Sequence, residues 1–420
     1  MPELVASFFL VLTGALAVLF VALRATRTSL SGVSLFVFSV LFYVLAPVIQ
    51  LSASMDILVN TDEFSWSAAV YTNVILFVFL LSYAVAYKLL TTNRSFHSYE
   101  KFNAQVGYLG VRVSFINNFA ILGAFVLALA VAFRGIENTI ISLFIFKFLA
   151  LIAFFGACVY FLGLKGQWGQ KSILLGLAFL FLLIVLLLKN PMFERRNAIG
   201  PIYLAIGCLA LPALVQGRKF LLFGILVMVL AFPASSLLTH QYGISDSGGV
   251  TIEQVLQQIK GHYNDLHYDA WANGLSMQKM IADNGHTLGA QLLGALLFFV
   301  PRSVWPEKPV SSGEMLGQYL MENASLWFSN ISFSLPFEFY LGFGLLGVSI
   351  AAVGMALFVA IVESKASESV VWHVFLIYFS FYIYFLMRGP FLPALAYLVP
   401  VFFACWLSGK VFLRKVYQCE

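Results

Sequence analysis

Leu4-Val-Ala-Ser-Phe-Phe-Leu-Val-Leu-Thr-Gly-Ala-Leu-Ala-Val-Leu-Phe-Val-Ala-Leu23 carries no charge from end to end. A helix of that length rises about 30 Å, the thickness of the hydrocarbon core of a bilayer. Lipid offers no water to backbone N–H and C=O groups, so a spanning stretch must satisfy them within itself, as a helix does. No cationic segment precedes the stretch and no small-residue cleavage site follows it. It reads as a retained span and not as a removable leader.

The rest of the chain repeats this signal. Of 420 residues, 61% are hydrophobic and 10% charged, whereas a soluble domain carries about 25% charged residues. The mean hydropathy is +0.92. Phe occurs 43 times, a load that lipid-facing and interfacial helix surfaces tolerate. Further spans are expected near Val33–Leu51, Ala68–Leu90, Phe115–Phe133, Ile140–Leu164, Ser172–Leu188, Pro201–Val215, Phe220–Leu238, Phe337–Val362, Val370–Met387 and Phe391–Leu407. The expected fold is an all-α polytopic membrane helical bundle of about eleven spans with one large external insert. Residues 1–238 hold spans one to eight, 239–336 the insert, and 337–420 the last three spans and a short tail. Cys158, Cys208, Cys405 and Cys419 form no CxxC pair and read as small apolar residues.

Orientation follows from Lys and Arg placement. With the N-terminus outside, the larger share of the 24 cations falls in short inner segments, among them Arg24, Arg27, Arg94, Lys101, Arg218, Lys219, Arg414 and Lys415. The insert is then external. It opens on Gly243-Ile-Ser-Asp-Ser-Gly-Gly249, continues as an amphipathic helix over about Thr251–Ile281, and has Ile252, Val255, Leu256 and Ile259 spaced for one face. Leu288–Val300 is apolar but too short to cross and is interrupted by Gly289 and Gly294; it reads as an interfacial or re-entrant segment.

Cations that break the charge bias need a reason. Lys189, Arg195 and Arg196 crowd one short external loop, Arg302 and Lys308 flank a Pro-rich turn, and Arg388 precedes Gly389-Pro390. With Arg134 they form a candidate outer cationic site, since guanidinium forks suit phosphate oxygens. The bland alternative is headgroup contact by snorkelling side chains. Candidate bases are His262, Asp265, His267, Asp269 and His286 in the insert, and Glu338 at the start of the next span. The first four could equally be a solvated helix face, and His286 a turn residue. A carboxylate in a span is costly and has a partner or a function. His373 reads as a packing residue. His262 and His267 are not at zinc-helix spacing, and no Asp-x-Asp pair, P-loop or dinucleotide fingerprint occurs in the external loops. No metal, nucleotide cofactor or nucleic acid is expected.

Arg196 precedes Gly207 by ten intervening residues, and Arg302 precedes Gly313 likewise. Val300-Pro-Arg-Ser-Val-Trp-Pro-Glu-Lys-Pro309 is followed by Phe333-Ser-Leu-Pro-Phe-Glu-Phe-Tyr-Leu-Gly-Phe-Gly344. In these features and in its layout the chain resembles the Wzy-type O-antigen polymerases, or oligosaccharide repeat-unit polymerases. The loop before the seventh span is short here, where several members have a long one. The resemblance implies a metal-independent, lipid-linked glycosyltransferase of the bacterial inner membrane with a periplasmic active face. Its substrate would be undecaprenyl-pyrophosphate-linked oligosaccharide, and its partner a chain-length-regulating polysaccharide co-polymerase. In that reading Arg302, Arg196, Glu338, His267 and Asp269 are catalytic, while Arg195, Lys308, Arg388, His286, Lys189 and Arg134 bind substrate. The alternatives are an O-antigen ligase of the same architecture and a flippase of the same lipid-linked sugars; a flippase should show discontinuous helices and internal repeats.

Overall fold

The computed structural model describes residues 2–24, 28–52, 65–92, 115–133, 139–164, 171–191, 194, 196–234 and 266–413. In chain order the helices are α1 (Pro2–Arg24), α2 (Leu30–Val40), α3 (Ala46–Ser52), α4 (Trp66–Thr92), α5 (Phe115–Phe133), α6 (Thr139–Gly163), α7 (Lys171–Leu188) and α8 (Arg196–Ala210). They continue as α9 (Gly217–Leu226), α10 (Phe232–Ala234), α11 (Ala270–Asn284), α12 (Ala290–Leu296), α13 (Ser312–Asn323), α14 (Leu335–Glu368), α15 (Val370–Arg388) and α16 (Phe391–Phe412). Single π-turns, Leu41–Leu45 and Val227–Ala231, join α2 to α3 and α9 to α10.

Among the described residues seven helical stretches are long and apolar enough to cross a membrane: Pro2–Arg24, Leu30–Leu51, Trp66–Thr92, Lys171–Leu188, Leu335–Glu368, Val370–Arg388 and Phe391–Phe412. The protein is an all-helical, multi-pass membrane protein. Asn117–Val126, Lys147–Gly163 and Ala198–Ala210 are shorter apolar helical stretches.

The chain divides into two compact units. The first comprises Met1–Arg94, Leu214–Ala360 and Ser380–Tyr397; the second comprises Ser95–Ala213, Ile361–Phe379 and Leu398–Glu420. In lipid the hydrophobic effect does not draw one helix to another, so close packing and polar contacts must do so. Glycines mark these approaches in the first unit. A Cβ on Gly14 of α1 would meet Leu80 of α4 at 3.1 Å, and one on Gly32 of α2 would meet Ala22 at 2.8 Å. Ser29 caps α2 by accepting the Gly32 N–H at 3.1 Å. In the second unit Gly156 of α6 lies against the Phe181 and Phe412 rings, and Tyr160 donates to Asn118 Oδ1 at 2.8 Å.

Within the first unit the insert region meets the N-terminal helices through buried polar bonds. Trp271 Nε1 donates to Asn73 Oδ1 at 2.8 Å, and Asn73 Nδ2 donates to Ser7 Oγ at 2.8 Å. All three side chains are buried. Gln278 donates to the Ala68 carbonyl at 2.8 Å and to Thr72. A Cβ on Gly274 would overlap the Phe337 ring, so α11 and α14 touch through a glycine. The helix expected over Thr251–Ile281 is corrected in part. A 3-10 turn, Leu266–Tyr268, and a turn at Asp269 precede α11, which begins at Ala270 and runs to Asn284. Asp269 is drawn into an ion pair there. Ile252, Val255, Leu256 and Ile259 lie outside the described residues.

One span is discontinuous, which the sequence reading did not anticipate. Within α14, Phe343 (φ −141°, ψ 19°) and Gly344 (φ 61°, ψ −151°) leave helical geometry. Only glycine occupies the Gly344 conformation without strain. The break frees the Leu341 carbonyl from its own helix. That oxygen accepts the Thr287 N–H at 3.1 Å and the Thr287 hydroxyl at 3.3 Å, and it lies 3.2 Å from His286 Nδ1. Gly344→Ala is expected to cost about 1–3 kcal/mol and to lower the thermal midpoint in detergent by several degrees. Gly354→Ala, with open space around it in the same helix, should leave the midpoint nearly unchanged. Equal midpoints for the two variants would show that the break stores no such constraint.

Candidate functional site

The turn after α15 places a guanidinium at the centre of a polar cluster. Arg388 Nε donates to the His267 carbonyl at 2.8 Å, and Nη2 lies 3.4 Å from Asp269 Oδ1. Asp269 is buried. Its Oδ1 accepts from the Ser332 hydroxyl and its Oδ2 from Asn273 Nδ2 at 2.9 Å. Asn273 Nδ2 also donates to the Ser332 carbonyl at 2.8 Å. The Phe333 N–H reaches the Arg388 carbonyl at 3.1 Å. A buried carboxylate is tolerated when a cation and several donors compensate its lost hydration. The arginine side chain stays 31% exposed, with Nε and Nη2 held in place by these partners.

A second carboxylate lies next to this cluster. Glu338, in the first turn of α14, is buried. Ser312 donates its hydroxyl to Oε1, and the Phe391 N–H donates to Oε2 at 3.3 Å. Phe391 is the first residue of α16, and a carboxylate at a helix N-terminus meets the positive end of the helix dipole. Gln291 donates to the Glu338 carbonyl at 3.1 Å. Helix α13 reaches this point because two glycines, one turn apart, remove its side chains. A Cβ on Gly313 would sit 2.4 Å from the Ile331 carbonyl, and one on Gly317 would sit 2.1 Å from that of Ser329. Ser334 donates to the Met387 carbonyl at 2.5 Å and bonds Tyr43, which the first π-turn carries. π-turns concentrate at functional positions.

The remaining predicted residues divide. Arg302 is exposed, with Nη1 on the Lys308 carbonyl at 2.9 Å. Lys308 turns inward: its ammonium donates to the carbonyls of Phe298 at 2.8 Å and Val300 at 3.1 Å. Burial pushes its pKa below the ordinary lysine value, and the Arg302 charge pushes the same way. Lys308, expected in the outer cationic site, directs its ammonium onto the carbonyls of its own turn. His286 is exposed, with its ring against Tyr340 at 5.6 Å. Lys189 belongs to the second unit, where it is buried and pairs with Glu194 at 3.3 Å, while its carbonyl accepts from Tyr203 at 2.7 Å. It too serves a local ion pair. Arg196 is the first residue of α8. Arg134, Arg195, His262 and Asp265 lie outside the described residues. His267 contributes its backbone carbonyl, and its ring lies 6.0 Å from that of Phe232. His373 is buried in α15. The repeated Arg-x10-Gly spacing does not mark a repeated structure, since Gly313 is tightly packed and Gly207 has open space.

No family model, curated protein or solved structure matches the chain. The chemistry of the site therefore rests on its own residues. Those the sequence reading passed over are Asn273, Ser312, Ser332, Ser334 and Tyr43, the polar atoms that hold the two carboxylates and the 329–334 segment. Their signal was faint: isolated serines and one asparagine in apolar surroundings, where an unpaired polar group is costly. Among the described residues no group of three or more His, Cys, Asp or Glu side chains is arranged to hold a metal ion.

Proposed function

We propose that this protein polymerises undecaprenyl-pyrophosphate-linked oligosaccharide repeat units at the periplasmic face of a bacterial inner membrane, as an eleven-span glycosyltransferase. The observation that carries the reading is the pre-oriented, partly exposed Arg388 guanidinium, held by Asp269 and the His267 carbonyl. In the reaction a hydroxyl oxygen of the acceptor sugar bonds to the anomeric carbon of the donor. The bond from that carbon to the pyrophosphate breaks, and negative charge gathers on the leaving oxygens. A fixed guanidinium stabilises that charge without reorganising at the moment of reaction. Exposed Arg302 supplies a second cation. The acceptor proton needs a base. We assign that role to His286, which is exposed: in the tautomer whose Nδ1–H donates to the Leu341 carbonyl, Nε2 is left as an acceptor. Asp269 and Glu338, with their oxygens engaged, serve better as positioning groups. A chain-length-regulating co-polymerase is the partner this reading implies.

A second reading draws support from the break at Phe343–Gly344, because discontinuous helices are a device of transporters. The two readings part in one assay. Purified protein in proteoliposomes, given lipid-linked repeat units without nucleotide sugar or ATP, is expected to lengthen them, and EDTA should leave the rate nearly unchanged. Arg302→Ala should abolish lengthening, and Arg302→Lys should restore little, since a point charge does not replace a planar fork. Movement between leaflets with no covalent change would replace the polymerase with a flippase. Product only on addition of a lipid A core acceptor would make the protein a ligase.

A further inference from the structure

The segment after α11 displays an apolar surface that water would not tolerate. Leu288 is 81% exposed, Leu296 58%, Phe299 67% and Val304 74%. Leu293 and Leu296, three residues apart on α12, share one face of that helix. The opposite side is covered by protein, since a Cβ on Gly294 would contact the Pro309 carbonyl at 3.3 Å. Helix α12 is therefore packed on one side and bare on the other. Isolated exposed apolar residues are ordinary, but a contiguous patch marks an interaction surface.

We infer that residues 288–300 form a membrane-immersed turn whose bare face is covered by lipid acyl chains. Two independent observations identify the occupant. The first is continuity with a spanning helix. A Cβ on Gly289 would sit 2.4 Å from the Phe343 ring, and one on Gly342 would sit 3.4 Å from Gly289 itself. Phe343 and Leu346 are themselves exposed where α14 resumes after its break. The patch thus runs into the lipid-facing surface of α14, and the same hydrocarbon covers both.

The second is the treatment of the backbone. A seven-residue helix ending in turns leaves carbonyls that water satisfies in a soluble loop. Here the Lys308 ammonium folds back onto Phe298 O and Val300 O, and Arg302 covers Lys308 O. Irregular backbone at membrane depth requires such internal donors. A lysine with aqueous surroundings would gain nothing by leaving them. The inference stands on the membrane character of the chain and is independent of the reaction it catalyses.

The test uses nitroxide labels on the full-length chain in vesicles of phosphatidylethanolamine and phosphatidylglycerol. Leu296→Cys and Phe299→Cys would be labelled in a background with the native cysteines replaced by alanine. Ile350→Cys on the exposed side of α14 and Glu307→Cys in the polar turn are the lipid and water references. Relaxation at positions 296 and 299 should respond to dissolved oxygen several-fold more than to a water-soluble nickel chelate, as at 350. A nickel response like that of 307 would overturn the inference by placing the face in water. Spin–spin broadening that disappears on dilution with unlabelled chain would overturn it differently, by covering the face with a second copy. Both labels replace exposed side chains, so each variant retains the packed side of α12.

Discussion

Arg388→Ala is expected to reduce glycan extension by about 10²–10³-fold, the scale of losing one pre-oriented donor at a developing anion. Arg388→Lys should recover little of it. The lysine ammonium cannot donate to the His267 carbonyl, pair with Asp269 and still offer a planar fork. Asp269→Asn should fall between the two. It keeps an oxygen to accept from Ser332 or Asn273 but lets the guanidinium rotate away from its present direction. Ladder length on gels, read against the amount of chain in the membrane, separates loss of reaction from loss of protein. Ladders of normal length from Arg388→Ala cells would remove the central residue of the proposed mechanism.

Glu338→Ala should damage the fold more than any other single change at the site. It leaves the Ser312 hydroxyl and the Phe391 N–H without their acceptor in a buried position, each at about 1–3 kcal/mol. The chain should lose thermal stability in detergent and accumulate poorly. Glu338→Gln is expected to behave differently. Its amide oxygen accepts the Phe391 N–H and its NH2 group donates to Ser312, whose hydroxyl rotates to accept. Extension should then stay within about tenfold of the parent, the factor that corresponds to about 1.4 kcal/mol. A stable Glu338→Gln protein without activity would restore the carboxylate to a chemical role and displace His286 from the base position.

The helices were the most legible part of the chain. Uninterrupted apolar runs such as Leu4–Leu23 specify a spanning helix whatever surrounds them, because lipid leaves the backbone no alternative. The broken α14 was harder to read. Phe343-Gly344 lies in a hydrophobic run, and a window average gives no weight to one residue with positive φ. Only glycine permits the break, but glycine in a spanning helix is also common where helices pack. The site was half legible. Arg388 and Asp269 stood out as charges in unusual places, while their pairing across 119 positions had no local trace. Lys308 and Lys189 carried the same sequence signal as Arg388 and turned to local partners instead. Charge placement alone does not say which way a long flexible side chain folds.

The Trp271–Asn73–Ser7 chain has a consequence in time. Asn73 lies within α4 and depends on two partners, one made before it and one 198 positions after it. Ribosomes add about 5–20 residues per second, so Asn73 waits roughly 10–40 seconds for Trp271. Throughout that interval the Asn73 carbonyl oxygen has no Trp271 N–H to accept. The N-terminal helices thus assemble with one polar bond outstanding, and the later insert closes it. An insertion factor that shields α4 from lipid would act in this interval, before the first unit is complete.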